Sequence, residues 1–159
     1  MRNLSRRIWI PAFIVFTVCS CSSSDTPPTS AEVLVVPTRD SGRIAVHLVL
    51  RDAAAGITRA DGAAVVEVVE NRSDPYAETG EAEVQLYRGQ FPVLRSRFRK
   101  IVYQKKDLFA FPVGHIPLSE FFEAPTQPVG TVRIKFRARY SEEDIVGETA
   151  VRLSSTPTR

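Results

Sequence analysis

Cysteine is nearly absent from this chain, which has two among 159 residues, Cys19 and Cys21, both near the N-terminus. The sequence after them has no thiol, so a disulfide framework and a cysteine-ligated metal are excluded there. Histidine is equally scarce, with only His47 and His115. Neither lies in a hydrolase or metalloprotease motif, and the sequence has no phosphate-binding glycine loop. These absences argue against an enzyme, and we expect no cofactor and no metal site.

Without its first 20 residues, the chain also has no surplus of positive charge. The whole chain has 21 basic and 18 acidic residues, but Arg2, Arg6 and Arg7 lie in the first 20 residues, which have no acidic residue. The remainder has 18 residues of each sign, so its net charge is zero. Because nucleic-acid binding depends on positive charge, no nucleic-acid partner is expected. The length and the 43% of hydrophobic residues fit a single globular domain.

Residues 1–20 have the three parts of a secretory signal peptide. A positively charged start, Met1 to Arg7, precedes an apolar stretch from Ile8 to Val18, which is interrupted by Pro11 and Thr17. This stretch is shorter than the roughly 20 apolar residues that a membrane-spanning helix needs. Small residues follow it, as they do at a cleavage site. We therefore expect an exported protein.

The end of this leader, Val18-Cys19-Ser20-Cys21, resembles the lipobox of bacterial lipoproteins, in which an aliphatic residue and two small residues precede a lipid-modified cysteine. The resemblance implies cleavage before Cys21 and lipid on Cys21, which makes the membrane the first partner. Cys19 fits less well, because the β-branched Val18 would stand where cleavage needs a small residue. A plain signal peptide cut near Ser20 and an uncleaved anchor are the alternatives.

Residues 21–31 are predicted to hold the lipidated cysteine and a flexible tether. From Ser22 to Ser30 no large apolar side chain occurs, so this run buries little surface. Residues 155–159 are predicted to be a disordered tail. Ser22 directly after the cysteine resembles outer-membrane sorting of bacterial lipoproteins, which implies a place in the cell envelope, at the outer membrane or the cell surface.

Residues 32–154 alternate between apolar and polar side chains, which is typical of strands with one buried face. The predicted strands are Val33–Val36, Gly42–Asp52, Ala64–Glu70, Glu81–Arg88, Phe98–Tyr103, Leu108–Phe111, Thr131–Tyr140 and Ile145–Leu153. One helical turn is predicted within residues 117–123, with Ser119 as its cap.

Seven or eight short strands separated by turns predict an all-β domain, an antiparallel sandwich. The pattern resembles the immunoglobulin and fibronectin type III class. The resemblance rests on the strand pattern, because the chain has no tryptophan other than Trp9 of the leader and so lacks the buried tryptophan of antibody domains. A small antiparallel barrel is the alternative.

The polar face of the strand at 131–140 carries four basic residues, named here the basic stripe: Arg133, Lys135, Arg137 and Arg139. Charges at this spacing lie about 6–7 Å apart and repel, unless acidic side chains of neighbouring strands or of a partner relieve them. The stripe is therefore a candidate surface for an anionic partner, an envelope protein or polymer, and a solvated face is the alternative. We expect it to continue, if the strands share a sheet, onto Arg95, Arg97, Arg99 and Lys100. The acidic residues are expected to cluster elsewhere, at Glu67, Glu70, Asp74, Glu78, Glu81 and Glu83.

Two further segments carry candidate groups. The loop with Asn71, Asp74, Glu78 and Glu81 gathers oxygen donors of the kind that calcium uses, but their spacing matches no EF-hand and favours a solvated loop. Residues 109–122 are unusually apolar for a connection, so we expect a plug in the core or, where exposed, a patch for a partner.

These observations predict a lipid-anchored protein of the cell envelope, with a non-catalytic sandwich that binds a protein or cell-wall partner or acts as an accessory module. A carrier of a small ligand or polysaccharide, with an apolar cavity, is the alternative. A hydrolase, the least favoured function, would need His47 or His115 beside an acid and a nucleophile.

Overall fold

The structure is a computed structural model that describes residues 26–36, 38 and 42–153. The predicted signal peptide, Cys21, the first part of the predicted tether and the predicted tail lie outside the described residues. Within the described residues, no helix is long and apolar enough to cross a membrane.

Nine strands and two short 3-10 turns form the described part of the chain. The strands are β1 (Ser30–Val36), β2 (Arg43–Arg51), β3 (Ile57–Thr58), β4 (Gly62–Ser73), β5 (Glu81–Val93), β6 (Arg99–Tyr103), β7 (Lys106–Pro117), β8 (Val129–Ala138) and β9 (Asp144–Arg152). All eight predicted strands are present with altered ends. The structure adds a ninth strand, β3, whose two residues are too few to give an alternating pattern.

The strands form two antiparallel sheets, with the orders β1-β2-β7-β6 and β5-β4-β8-β9, and β3 pairs with β2. Hairpins join neighbouring strands within a sheet, and three connections cross from one sheet to the other. Read in chain order, these are the A-B-E-D and C′-C-F-G sheets of the immunoglobulin sandwich. The predicted all-β antiparallel sandwich is therefore confirmed, and the barrel alternative is wrong.

The core lies between the inner faces of the two sheets. Alternation in β8 sends Val132, Ile134 and Phe136 inward, and all three are fully buried. The largest buried apolar side chains from the rest of the core are Leu48, Leu50, Leu86, Phe111, Ile116 and Leu153. Each such side chain contributes about 1.5–3 kcal/mol to folding through burial of its apolar surface.

The two sheets meet closely along one edge, where β1 lies against β9. A Cβ atom built on Gly147 of β9 would lie 2.5 Å from the carbonyl oxygen of Ala31 in β1 and 3.1 Å from Cγ2 of Val33. Glycine is needed at this position because the approaching atom belongs to the backbone and cannot rotate away. The absence of a side chain at Gly147 thus closes this edge.

The predicted tether ends earlier than residue 31. The chain is already attached to the sandwich at Thr26, whose hydroxyl donates to Asp52 and whose carbonyl oxygen accepts from the Thr58 hydroxyl, each at 2.8 Å. The Thr29 amide donates to the Arg51 carbonyl at 2.8 Å, and β1 begins at Ser30. Backbone pairing with β2 thus orders polar residues that have no apolar side chain to bury.

The strand β7 is much longer than the predicted Leu108–Phe111. It includes His115, which the sequence placed in a loop, and it buries Phe111, Val113 and Ile116 in the core. Phe109 and Phe122 remain 44% and 63% exposed. Most of the apolar density of residues 109–122 is therefore core.

The predicted helical turn exists as a 3-10 turn at Leu118–Glu120. Ser119 is not its cap, because the capping position belongs to Pro117 and no side chain caps the turn by a hydrogen bond.

Candidate functional site

The basic stripe lies on the outer face of the β5-β4-β8-β9 sheet, where neighbouring strands supply acidic partners. Arg133 donates to Glu83 of β5 at 2.9 and 3.0 Å and to Glu148 of β9. The Lys135 ammonium lies 3.0 Å from Glu67 of β4.

At the end of β8, Arg137 donates to Asp144 of β9 at 2.7 Å. Arg139 lies just beyond β8, and its guanidinium is 5.5 Å from the ring centroid of Tyr140. Among the described residues, Arg139 is the member of the stripe without a carboxylate partner. Cross-strand carboxylates of this chain therefore relieve most of the repulsion within the stripe.

The ion pairs shift the titration of their members. The hydrogen bonds from Arg133 hold the pKa of Glu83 below its usual range, although partial burial opposes this. The hydrogen bonds to Glu83 and Glu148 raise the pKa of Arg133. Both shifts favour the charged forms, so the pairs persist at neutral pH.

The structure corrects two expectations about the stripe. It does not continue onto Arg99 and Lys100, because β6 belongs to the other sheet, nor onto Arg95 and Arg97, which form the connection before β6. The acidic residues do not form a separate cluster either. Glu67 and Glu83 pair with the stripe itself, so charges of both signs alternate across this face instead of forming a dipole.

Glu70 faces away from the stripe and is 1% exposed. It accepts hydrogen bonds from the amides of Thr126 and Gln127, from the Thr126 hydroxyl and from Arg72. Burial raises the pKa of Glu70, but these hydrogen bonds outweigh it and hold the pKa below its ordinary value. Glu70 thus fixes the crossover from β7 to β8.

The acidic loop between β4 and β5 is a turn held by its own groups. Oδ1 of Asp74 accepts from the Tyr76 amide at 2.9 Å, and the Asp74 amide donates to Gly80 at 3.0 Å. In the described part of the chain, no group of three or more His, Cys, Asp or Glu side chains is arranged to hold a metal ion.

A second basic site lies on the outer face of the other sheet, where β2, β7 and the segment before β6 meet. We name it the histidine groove. Its lining comprises Val36, Thr38, Ala45, Val46, His47, Arg97, Arg99, Pro112, Val113, Gly114 and His115. The β6–β7 hairpin covers the adjoining part of this outer face, where Ile101, Tyr103 and Leu108 pack on Leu34 and Val49. The groove is the part of the face that the hairpin leaves open.

A β-bulge builds the groove. In the β2–β7 pair, Val46 lies opposite Gly114 and His47 opposite Pro112, so Val113 is an extra residue in β7. The extra residue reverses the alternation, and His115 therefore faces outward like His47 rather than into the core. Gly114 adopts a φ of 143°, which favours glycine.

His47 is electrostatically unusual within this groove. Burial lowers its pKa, and the nearby Arg99 and His115 lower it further. Its Nδ1 atom is buried and has no hydrogen-bond partner among the described residues. Among the described residues, no carboxylate lines the groove, so none of them gives either histidine the orienting acid that a hydrolase triad uses.

The sequence placed His47 in a strand and His115 in a loop, and nothing suggested that the two would meet. The signal that could have revealed the site is Gly114, because an isolated glycine inside an apolar strand pattern indicates a bulge. Arg97 lies in the connection between the sheets and Arg99 begins β6, and no sequence pattern predicts the path of that connection.

Comparisons with known proteins identify no family. No protein-family model matches the sequence, and no curated protein matches it significantly. Among solved structures, the chain is similar to the crystal structure of MtrC from Shewanella baltica OS185, with 10% sequence identity and a TM-score of 0.38. The alignment covers 76% of this chain and 21% of that protein, so the chain spans about a fifth of its length.

Proposed function

We propose that this chain is a lipid-anchored protein of the cell envelope, attached through Cys21, and that its immunoglobulin-like sandwich is a non-catalytic module that binds a protein or cell-wall partner. The leader and the lipobox-like Val18-Cys19-Ser20-Cys21 support the anchor. The described residues that line the histidine groove include no acid, which speaks against a hydrolase that would draw its acid from them.

The place where the chain joins the sandwich is the observation that carries this proposal. Thr26 is bonded to Asp52 and Thr58, at the end of the sandwich where β2 turns into β3. Four residues lie between Cys21 and Thr26, and the five Cα-to-Cα steps that join the two span at most about 18 Å in a fully extended chain. A lipid on Cys21 would hold this end near the membrane and present both outer faces and the opposite end to the envelope.

The filled core favours a binding module over a carrier. Val46, Leu48, Val66, Val132 and Ile134, from the inner faces of both sheets, have no exposed surface. These side chains belong to one buried apolar cluster that joins the inner faces of both sheets, as expected of a packed core. A partner is therefore expected to bind on an outer face or at an end of the sandwich.

The anchor is tested with the full-length chain in a bacterial host. The parent is expected to be processed to a mature form that begins at Cys21, carries lipid by mass spectrometry and fractionates with membranes. Cys21→Ser should lose the lipid and leave the membrane fraction or remain unprocessed, because one cysteine carries the anchor. Cys19→Ser is the matched control and should behave as the parent. A Cys21→Ser protein that is processed and membrane-bound like the parent contradicts the anchor.

A further inference from the structure

We infer that the histidine groove binds a phosphate-type oxyanion through His47, His115, Arg97 and Arg99. This inference gives a ligand class to the binding role proposed above and rests on that proposal for its setting in the envelope. The binding itself is a property of the sandwich and is argued from the described residues alone.

No acidic side chain among the described lining residues offsets the positive charge of the groove. Arg97 and Arg99 are exposed, and neither has a carboxylate partner among the described residues. Elsewhere on the sandwich, cations at comparable density are paired, as Arg133 is with Glu83 and Lys135 with Glu67. The two arginines leave the groove with positive charge that a bound anion would offset.

The imidazole of His47 lines the groove. An oxyanion bound there would offset the charges of Arg99 and His115, which add to burial in holding the pKa of His47 down. Ligand binding and protonation of His47 should therefore favour each other.

The shape of the groove also suits an oxyanion. Between the four basic side chains, the strands carry Ala45, Pro112 and Gly114, whose side chains are short or absent. The donors come from three elements, with His47 on β2, His115 on β7 and the arginines on or before β6. Donors that surround an open space suit a tetrahedral anion with several free oxygens, and guanidinium groups bind such oxygens in pairs.

The test is a titration of the purified mature protein, in which the imidazole NMR signals of His47 and His115 are monitored. Inorganic phosphate is expected to shift both signals in a saturable way, whereas acetate at the same ionic strength is not. Sulfate keeps its charge across the titration range of histidine, so it serves for the pH series. Sulfate should bind more weakly as the pH rises through the His47 transition and should raise the pKa of His47 when bound.

Variants assign the effect to the groove. Arg99→Gln and Arg97→Gln remove exposed charges and should each weaken phosphate binding about tenfold, which corresponds to about 1.4 kcal/mol. The matched control is Arg152→Gln at the end of β9, which removes an exposed arginine outside the groove and should bind as the parent does. Equal phosphate affinity in the parent and in the double variant Arg97→Gln with Arg99→Gln would overturn the inference. An acetate response as large as the phosphate response would also overturn it.

The source of the phosphate is separated in two further arms. The mature chain with Cys21→Ser, which cannot carry the proposed lipid, is mixed with vesicles of anionic phospholipid, with zwitterionic vesicles as reference, and with a soluble glycerol-phosphate polymer. If the protein binds one of these sources and Arg99→Gln weakens that binding, the result supports the groove and identifies the source. Binding to neither source overturns the inference for phosphate carried by lipids or polymers. These measurements use purified protein, so they stand apart from the Cys21 fractionation result, and either can fail alone.

Discussion

The ammonium group of Lys135 lies 3.0 Å from Oε2 of Glu67, across the pair of strands β4 and β8. Arg88 and Arg133 also approach Glu67, each at 3.9 Å. Glu67 is only 5% exposed, so one nearly buried carboxylate lies close to three cations at the centre of an otherwise solvated face. The carboxylate of Glu67 therefore explains how closely spaced basic residues lie on β8 without an anionic partner molecule.

Replacing Glu67 with glutamine should destabilise the sandwich. The three cations would keep their positions without the central negative charge, and we expect a loss of about 1–3 kcal/mol in the free energy of unfolding. The loss should shrink at high salt, because salt screens the repulsion between the cations. Urea unfolding of Glu67→Gln and of the exposed control Glu81→Gln, at low and high salt, measures both effects. A Glu67→Gln protein as stable as Glu81→Gln at low salt would contradict this role.

Glu70 should make the stability of the sandwich sensitive to acid. Hydrogen bonds to Glu70 hold its folded-state pKa below the ordinary value of 4.5. A carboxyl with a lowered pKa stabilises the fold at pH above the unfolded value, and this contribution is lost as the pH falls through the folded value. We therefore expect Glu70→Gln to be about 1–3 kcal/mol less stable than the parent at neutral pH. The difference should shrink as the pH drops below 4.5.

The measurement is urea unfolding of the parent and Glu70→Gln across the acid range, with Glu78→Gln of the exposed β4–β5 turn as control. Glu78→Gln should follow the parent at every pH. A difference between the parent and Glu70→Gln that stays constant from neutral to acid pH would show that Glu70 acts through shape rather than charge.

Gly147 should tolerate no side chain. Gly147→Ala places a methyl group 2.5 Å from the carbonyl oxygen of Ala31, so β1 must move away from β9. Displacement of a packed strand costs about 1–3 kcal/mol, which should appear as a lower urea midpoint. Val146→Ala, at a neighbouring position that is 50% exposed, is the control and should cost less than about 1 kcal/mol. Equal midpoints for Gly147→Ala and the parent would mean that the two strands do not touch this closely.

The strands were predictable wherever one face is buried and the other is wet. In β8, Val132, Ile134 and Phe136 alternate with charged residues, so the pattern gave both the strand and its inner face. In β7, the ends were missed because the pattern breaks at Gly114 and proline occupies positions 112 and 117. A strand that contains a bulge does not keep its alternation, so local pattern alone ends it too early.

The charge partners were not predictable, although every residue involved was visible. Glu83 and Arg133 are 50 residues apart, and they meet because β5 and β8 both lie beside β4. The expected clustering of the acidic residues away from the basic stripe was wrong for this reason, because it treated separation along the chain as separation in space. Sheet order decides which charges face each other, and it depends on long-range packing.

The sequence by itself determined that this chain is built of strands with one buried face, because period-two alternation is a local property that each strand carries alone. The choice of a sandwich over a barrel came from the sheet order. Only the tertiary structure decided what lies on the outer faces. It placed acids beside the basic stripe, and the extra residue Val113 turned His115 to the side of His47. Register, sheet order and bulges arise from contacts between distant segments, so the groove formed by His47, His115, Arg97 and Arg99 exists only once the sheets have assembled.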